Sequence, residues 1–299
     1  MRRRWTIYAF SLLLFGLARS ANGQLQPCPT QFRYGQNDAV GHFAVVNGIR
    51  MYYETYGSGP PLLLIHGNGG SIWGMRCQIS YFSRSYWVIA ADSRAHGKSE
   101  DGSGSLTYEQ MADDLATLLT KINADAADII GQSDGAIIAL LLAIRHPSKV
   151  KNIVANSPNL RPDDSALVAW AFPLMQQDLD RAKAMVAKGD RSKNWRRIRR
   201  WNELMFNEPH ISVHELRRIH VPVLISGADD DIIKTEHLVE IYRNLPLAQL
   251  SIMPGATHYL HQGHYERFNA IVERFLSVPF YRPTSKQEIE QELQEQLQP

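Results

Sequence analysis

The stretch Gly131-Gln132-Ser133-Asp134-Gly135 decides the reading of this chain. It has the form G-x-S-x-G, and its flanks suit that form. Ahead of it, Asp128-Ile129-Ile130 fits the end of a buried strand. After it, Ala136 to Ile144 is an apolar run that fits a buried helix, closed by His146-Pro147. A strand, a sharp turn and a helix make a nucleophile elbow, which pushes the serine out beside the positive N-terminus of the helix. The two glycines belong to the same geometry, because bulky side chains collide in so tight a turn.

A serine hydroxyl is a poor nucleophile until a base takes its proton, and the base needs a carboxylate to hold its tautomer. The elbow therefore predicts an acid and then a histidine further along. Both occur. Pro222 to Gly227 reads as a strand, followed by Ala228-Asp229-Asp230-Asp231-Ile232-Ile233-Lys234. The next strand ends in Pro254-Gly255-Ala256-Thr257-His258. The third requirement is a pair of N–H donors for the oxyanion. Ile65-His66-Gly67-Asn68-Gly69-Gly70 is glycine-rich and follows a buried strand, so Asn68 N–H is one expected donor and Asp134 N–H the other.

The remaining chain supplies the scaffold. Residues 43–54 read as a hairpin turning on Asn47-Gly48. Pro61 to Ile65, Trp87 to Ala91, Val150 to Val154, Val221 to Ser226 and Leu250 to Pro254 read as strands; Tyr108 to Ile122 and Tyr265 to Val278 read as helices. This alternation predicts an α/β fold, a mostly parallel twisted sheet with helices on both faces. Residues 157–216 show no strand pattern and read as an inserted helical cap between two core segments, 41–156 and 217–282. Within the cap, Leu167, Trp170, Ala171, Leu174 and Met175 lie at helical spacing, and Pro173 is expected to kink that helix. Trp195-Arg196-Arg197-Ile198-Arg199-Arg200-Trp201 reads as an amphipathic helix with a basic outer face, or alternatively as an anion-attracting rim. Residues 283–299 read as an exposed helix or tail.

The first 23 residues have the three parts of a secretory signal peptide. They are a basic start at Arg2 to Arg4, an apolar run of about 14 residues, and small residues near Gly23. The run is short of the roughly 20 residues that span a bilayer. The expectation is export to the periplasm or outside, with an uncleaved membrane anchor as the alternative. A loose arm, 24–40, follows. Cys28 and Cys77 either join in one disulfide or leave Cys77 as a small buried apolar residue. A net charge of +2 gives no field for nucleic acid. His258, His261 and His264 repeat every third residue, but no matching ligand set accompanies them and no dinucleotide fingerprint is present. No metal and no cofactor is expected.

The chain resembles the α/β-hydrolase superfamily over roughly residues 41–282. The matching residues are His66 to Gly70, Asp92-Ser93-Arg94-Ala95-His96-Gly97-Lys98-Ser99, the elbow, the Asp run and Gly255 to His258. Ser133-Asp134-Gly135 looks like the elbow of the valacyclovir-hydrolase-like, or biphenyl-hydrolase-like, members. The resemblance implies Ser133 as nucleophile, His258 as base, Asp231 as acid and Asp92 to Ser99 as a structural loop. Counting from Pro222 favours Asp231; counting from Gly227 favours Asp230. The implied activity is hydrolysis of a small-molecule carboxylic ester, or an amide or lactone, with no stable membrane partner beyond export. A serine at the elbow speaks against dehalogenases and epoxide hydrolases. Cofactor-free haloperoxidase or C–C bond hydrolysis is the alternative on the same scaffold, and a ligand-binding protein without turnover is the alternative of another class. The Asp134 carboxylate either attracts a cationic group of the substrate or is incidental to its N–H.

Overall fold

In the computed structural model, which describes residues 28–124 and 126–296, Asn47 and Gly48 turn one strand back on the next. Both have positive φ, 41° and 81°, as a two-residue hairpin turn requires. The turn joins β1 (Gly41–Val46) to β2 (Ile49–Tyr56), with Val46 opposite Ile49. Along the chain follow β3 (Pro61–Ile65), α1 (Arg76–Phe82), β4 (Trp87–Ala91), α2 (Tyr108–Lys121), β5 (Ala127–Gln132), α3 (Asp134–Arg145) and β6 (Val150–Asn156). Then come α4 (Ala171–Ala187), α5 (Trp195–Asn207), α6 (Val213–Leu216), β7 (Val223–Asp230), α7 (Thr235–Asn244), β8 (Ala248–Thr257), α8 (Leu260–Gly263), α9 (Tyr265–Ser277) and α10 (Ser285–Gln296).

The strands form one eight-stranded sheet in the order β1-β2-β4-β3-β5-β6-β7-β8, antiparallel at β1 and β2 and parallel from β4 to β8. Side chains alternate across it, as a strand's period of two demands. Leu63, Ile65, Ile89 and Ile129 join the core beneath α2, α3 and α7. Leu62, Leu64, Val88 and Ile130 join the core beneath α1, α8 and α9. This is why β3 and β4 read as unbroken apolar runs: both of their faces are covered. Ala136 to Ile144 is buried along its whole length for the same reason, since α3 is sandwiched. The parallel arrangement puts the C-terminal ends of β3, β5, β6, β7 and β8 on one edge, where the residues expected to act all lie.

Several expectations change on contact with the structure. The signal segment 1–23 lies outside the described residues. The arm, described from Cys28, is not loose. Tyr34 is buried, and the N–H groups of Gly35 and Asn37 donate to the two carboxylate oxygens of Glu54 at 2.7 and 2.9 Å. Glu54 is fully buried, and the Tyr52 and Tyr56 hydroxyls donate to it at 2.7 Å each. A buried carboxylate needs such donors, so it organises the arm around itself. Cys28 and Cys77 are joined in a disulfide, with Cα atoms 5.5 Å apart, tying the arm to α1.

Pro173 produces no kink. It sits in the first turn of α4, which begins at Ala171, where a missing N–H costs nothing. The residues before it are not helical: Leu167 bridges to Ile233, and Val168 N–H donates to Ile232 O at 3.0 Å. Arg196 of α5 stays exposed, but Arg197 and Arg200 form no open rim. Arg197 grips Asp101 and the carbonyls of Gly97 and Ser99, and Arg200 donates to Gly104 O at 2.9 Å. The loop carbonyls there lack strand partners and take up the guanidinium donors instead. α10 buries no residue.

Candidate active site

Ser133 leaves β5 at φ 54° and ψ −119°, a left-handed conformation that costs a non-glycine residue of order 1–3 kcal/mol. The fold holds it there. Ser133 N–H donates to Asn156 O on the neighbouring strand at 2.8 Å, and its carbonyl accepts the N–H groups of Ala136 and Ile137. A Cβ on Gly131 would overlap the Gly135 carbonyl, and one on Gly135 would overlap the Ile65 carbonyl. The motif's glycines are thus fixed by backbone contact between elbow, helix and β3. Gln132 and Asp134 are buried while Ser133 stays partly exposed.

The three aspartates at the end of β7 and just beyond it take different positions. Asp229 accepts the N–H groups of Gly255 and Ala256 at 2.9 and 3.1 Å, tying β7 to the end of β8. Asp230 is exposed. Asp231 is buried, and its Oδ1 lies 2.6 Å from His258 Nδ1. Oδ1 also accepts Ile233 N–H at 3.2 Å. Oδ2 accepts the Ser157 hydroxyl at 2.6 Å and Ala228 N–H at 3.4 Å. Burial pushes the Asp231 carboxyl up, but the nearby imidazole and the hydrogen bonds from His258, Ser157 and Ile233 outweigh it and hold it below the usual range. Ser157, buried and at φ 54°, was not singled out by the sequence. Its one signal is position, directly after β6 at the same sheet edge.

His258 follows β8 on a loop and packs edge-on against the Tyr259 ring. Its Nδ1 is taken by Asp231, leaving Nε2. The loop that carries the imidazole leaves β8 at the same sheet edge where Ser133 leaves β5. Among the described side chains, Ser133 Oγ bonds to none, so the structure pairs His258 with Asp231 and leaves the serine hydroxyl free.

The glycine-rich loop is braced from behind. His66 Nε2 accepts Ser93 N–H at 3.1 Å, and His96 Nε2 accepts Gly69 N–H at 3.1 Å. Both rings are buried, and burial pushes both imidazoles down, toward the neutral form that can accept. Asp92 takes Ile72 N–H and Lys98 N–H at 2.9 and 2.7 Å, and Arg94 pairs with buried Asp114 at 2.7 Å. The Asp92 to Ser99 stretch is therefore a scaffold for the loop. Asn68 N–H is engaged by no described backbone carbonyl. Asp134 N–H heads α3, where no helical carbonyl stands four residues back.

The Asp134 side chain is enclosed. Asn68 Nδ2 donates to its Oδ2 at 2.8 Å. Burial pushes this carboxyl up to about 6, while Asn68, Tyr108 and His258 pull the other way. Among the described residues no group of three or more His, Cys, Asp or Glu side chains is placed to hold a metal.

Comparison with known proteins agrees with the fold. The family model described as the alpha/beta hydrolase fold matches residues 60–196. A hydrolase of Bacillus subtilis, itself uncharacterized, is 36% identical over 117 residues, which are 38% of this chain and 43% of that relative, less than half its length. The serine hydrolase BPHL of Homo sapiens is 25% identical over 246 residues, 77% of this chain and 84% of the relative. Among solved structures, the enol-lactonase from Burkholderia xenovorans matches with a TM-score of 0.66 at 20% identity, covering 79% of this chain and 100% of that one.

Proposed function

We propose, from the premise that this chain belongs to the α/β-hydrolase superfamily, that it is a serine hydrolase cleaving a small-molecule carboxylic ester. The observation that carries this reading is the buried pair of His258 Nδ1 and Asp231 Oδ1 at 2.6 Å, on the same sheet edge as a serine held at φ 54°. Asp231 fixes the tautomer that leaves Nε2 as base. Ser133 Oγ attacks the ester carbonyl carbon as its proton passes to Nε2. The carbonyl π pair moves to oxygen, where the N–H groups of Asn68 and Asp134 receive it. The carbonyl re-forms as the C–O bond to the alcohol breaks, and the alcohol leaves with the proton from Nε2. Water then attacks the acyl-enzyme with Nε2 again as base, releasing the acid and restoring Ser133.

A serine nucleophile is supported by the serine hydrolase name of the human relative. A lactone is an internal ester and passes through the same steps, giving one hydroxy acid; the enol-lactonase neighbour shares the fold this needs. The Cys28–Cys77 disulfide supports export, because such bonds persist in oxidising compartments.

The test is direct. A fluorophosphonate probe labels the wild-type protein at Ser133, and Ser133→Ala loses both label and hydrolysis of short nitrophenyl esters, at least roughly a thousand-fold in kcat. Undiminished turnover in Ser133→Ala would sink the proposal.

A further inference from the structure

The cap meets the donor loop at Trp201. Trp201, in the middle of α5, lays its indole against His96, with ring centroids 4.9 Å apart and planes within 17°. Its Nε1 donates to Ala95 O at 2.9 Å. Behind the indole, His96 Nε2 holds Gly69 N–H. Gly69 itself adopts φ 64°, and a Cβ there would stand 3.7 Å from the indole edge. The Trp201 carbonyl accepts Asn68 Nδ2 at 3.3 Å, and the same nitrogen donates to Asp134 Oδ2 at 2.8 Å. One cap residue therefore contacts Asn68, borders Gly69, and stacks on the ring that holds Gly69. Asn68 and Asp134, the two residues whose N–H groups are the proposed donors, are bridged by a side chain that Trp201 helps orient.

We infer that Trp201 is a positioning residue for the oxyanion donor loop, so that seating of α5 and assembly of the donor pair are one event. The inference rests on the proposed reading of Asn68 as a donor. It assigns the cap a part in the chemical step besides that of wall. Arg197 and Arg200 clamp the same helix to the loop 97–104, so α5 is fastened in the turn leading into Trp201. A donor displaced by a fraction of an ångström stabilises the developing oxyanion less, while ground-state binding of the substrate changes little.

The experiment compares wild type with Trp201→Ala, Trp201→Phe and, as a control, Trp170→Ala, which changes an exposed cap tryptophan. Turnover of nitrophenyl acetate is measured per fluorophosphonate-titrated site, which removes misfolded protein from the count. Trp201→Ala lowers kcat roughly ten- to a hundred-fold with KM changed by no more than about two-fold. Trp201→Phe, which keeps a ring on His96, recovers most of the rate, and Trp170→Ala matches wild type. In parallel, hydrogen exchange of the peptide covering residues 66–72 is at least about ten-fold faster in Trp201→Ala. The inference is overturned if kcat per site in Trp201→Ala stays within two-fold of wild type, or if exchange of 66–72 is unchanged. Wild-type protein that neither turns over nor takes the probe would refute the serine-hydrolase reading instead, leaving the exchange measurement to judge the loop positioning.

Discussion

At the scale of single residues, three consecutive aspartates do three different things. Asp229 ties two strand ends together, Asp230 faces solvent, and Asp231 holds the imidazole. The prediction is that Asp231→Asn lowers kcat roughly a thousand-fold or more, because an amide in that place favours the wrong imidazole tautomer. Asp230→Asn leaves kcat near the wild-type value. Steady-state kinetics on the two variants separate them, and equal losses would remove Asp231 from its role. The elbow serine and the histidine could be read from the sequence, since each stands at a fixed offset from a strand's apolar run. Which aspartate faces the histidine could not. The pairing of β7 with β8 shifts register between Ala228 and Asp230, so a count from Pro222 and a count from Gly227 do not point to the same aspartate. Ser157 was hidden for another reason: its partner is 74 residues away, and a hydroxyl following a strand has no periodic signature.

At the scale of elements, the strands were legible because a strand covered on both faces must be apolar throughout. The contacts between elements were not. Helical spacing in α5 says which side is polar, not that Arg197 and Arg200 meet loop carbonyls. The arm's polar composition likewise concealed that its backbone satisfies Glu54, because N–H donors carry no sequence signal. The arm is held twice, by Glu54 and by the Cys28–Cys77 bond, whose cysteines are 49 residues apart. Closing a loop of that length restricts the unfolded chain by about 4 kcal/mol. Replacing both cysteines by serine is expected to lower Tm by on the order of 10 °C, with turnover at room temperature retained, since neither cysteine touches the sheet edge that carries Ser133. A melting curve on the double variant, with wild type in reductant beside it, checks both; an unchanged Tm would mean that Glu54 alone anchors the arm.

At the scale of the whole molecule, the buried histidines make the fold acid-sensitive. His66, His96 and His237 each accept a backbone N–H through Nε2, from Ser93, Gly69 and Leu160. A proton on that nitrogen would displace the bond and leave a charge buried. Burial accordingly pushes all three imidazoles down, and pushes His261 down to about 3. In the unfolded chain a histidine titrates near 6.5. The folded state therefore binds fewer protons than the unfolded state below that pH. The stability these groups contribute is fully present above about pH 6.5 and is lost progressively as pH falls toward the folded value. Asp134, pushed up to about 6, works in the opposite direction between about pH 4 and 6, so a wild-type curve alone mixes the two. A difference removes the mixture. Between pH 8 and pH 5, wild type should lose about 2 kcal/mol more stability than His261→Gln, which has no imidazole to protonate when unfolded. Denaturant unfolding of both proteins at the two pH values measures this, and parallel losses would show that His261 titrates alike in the folded and unfolded chains.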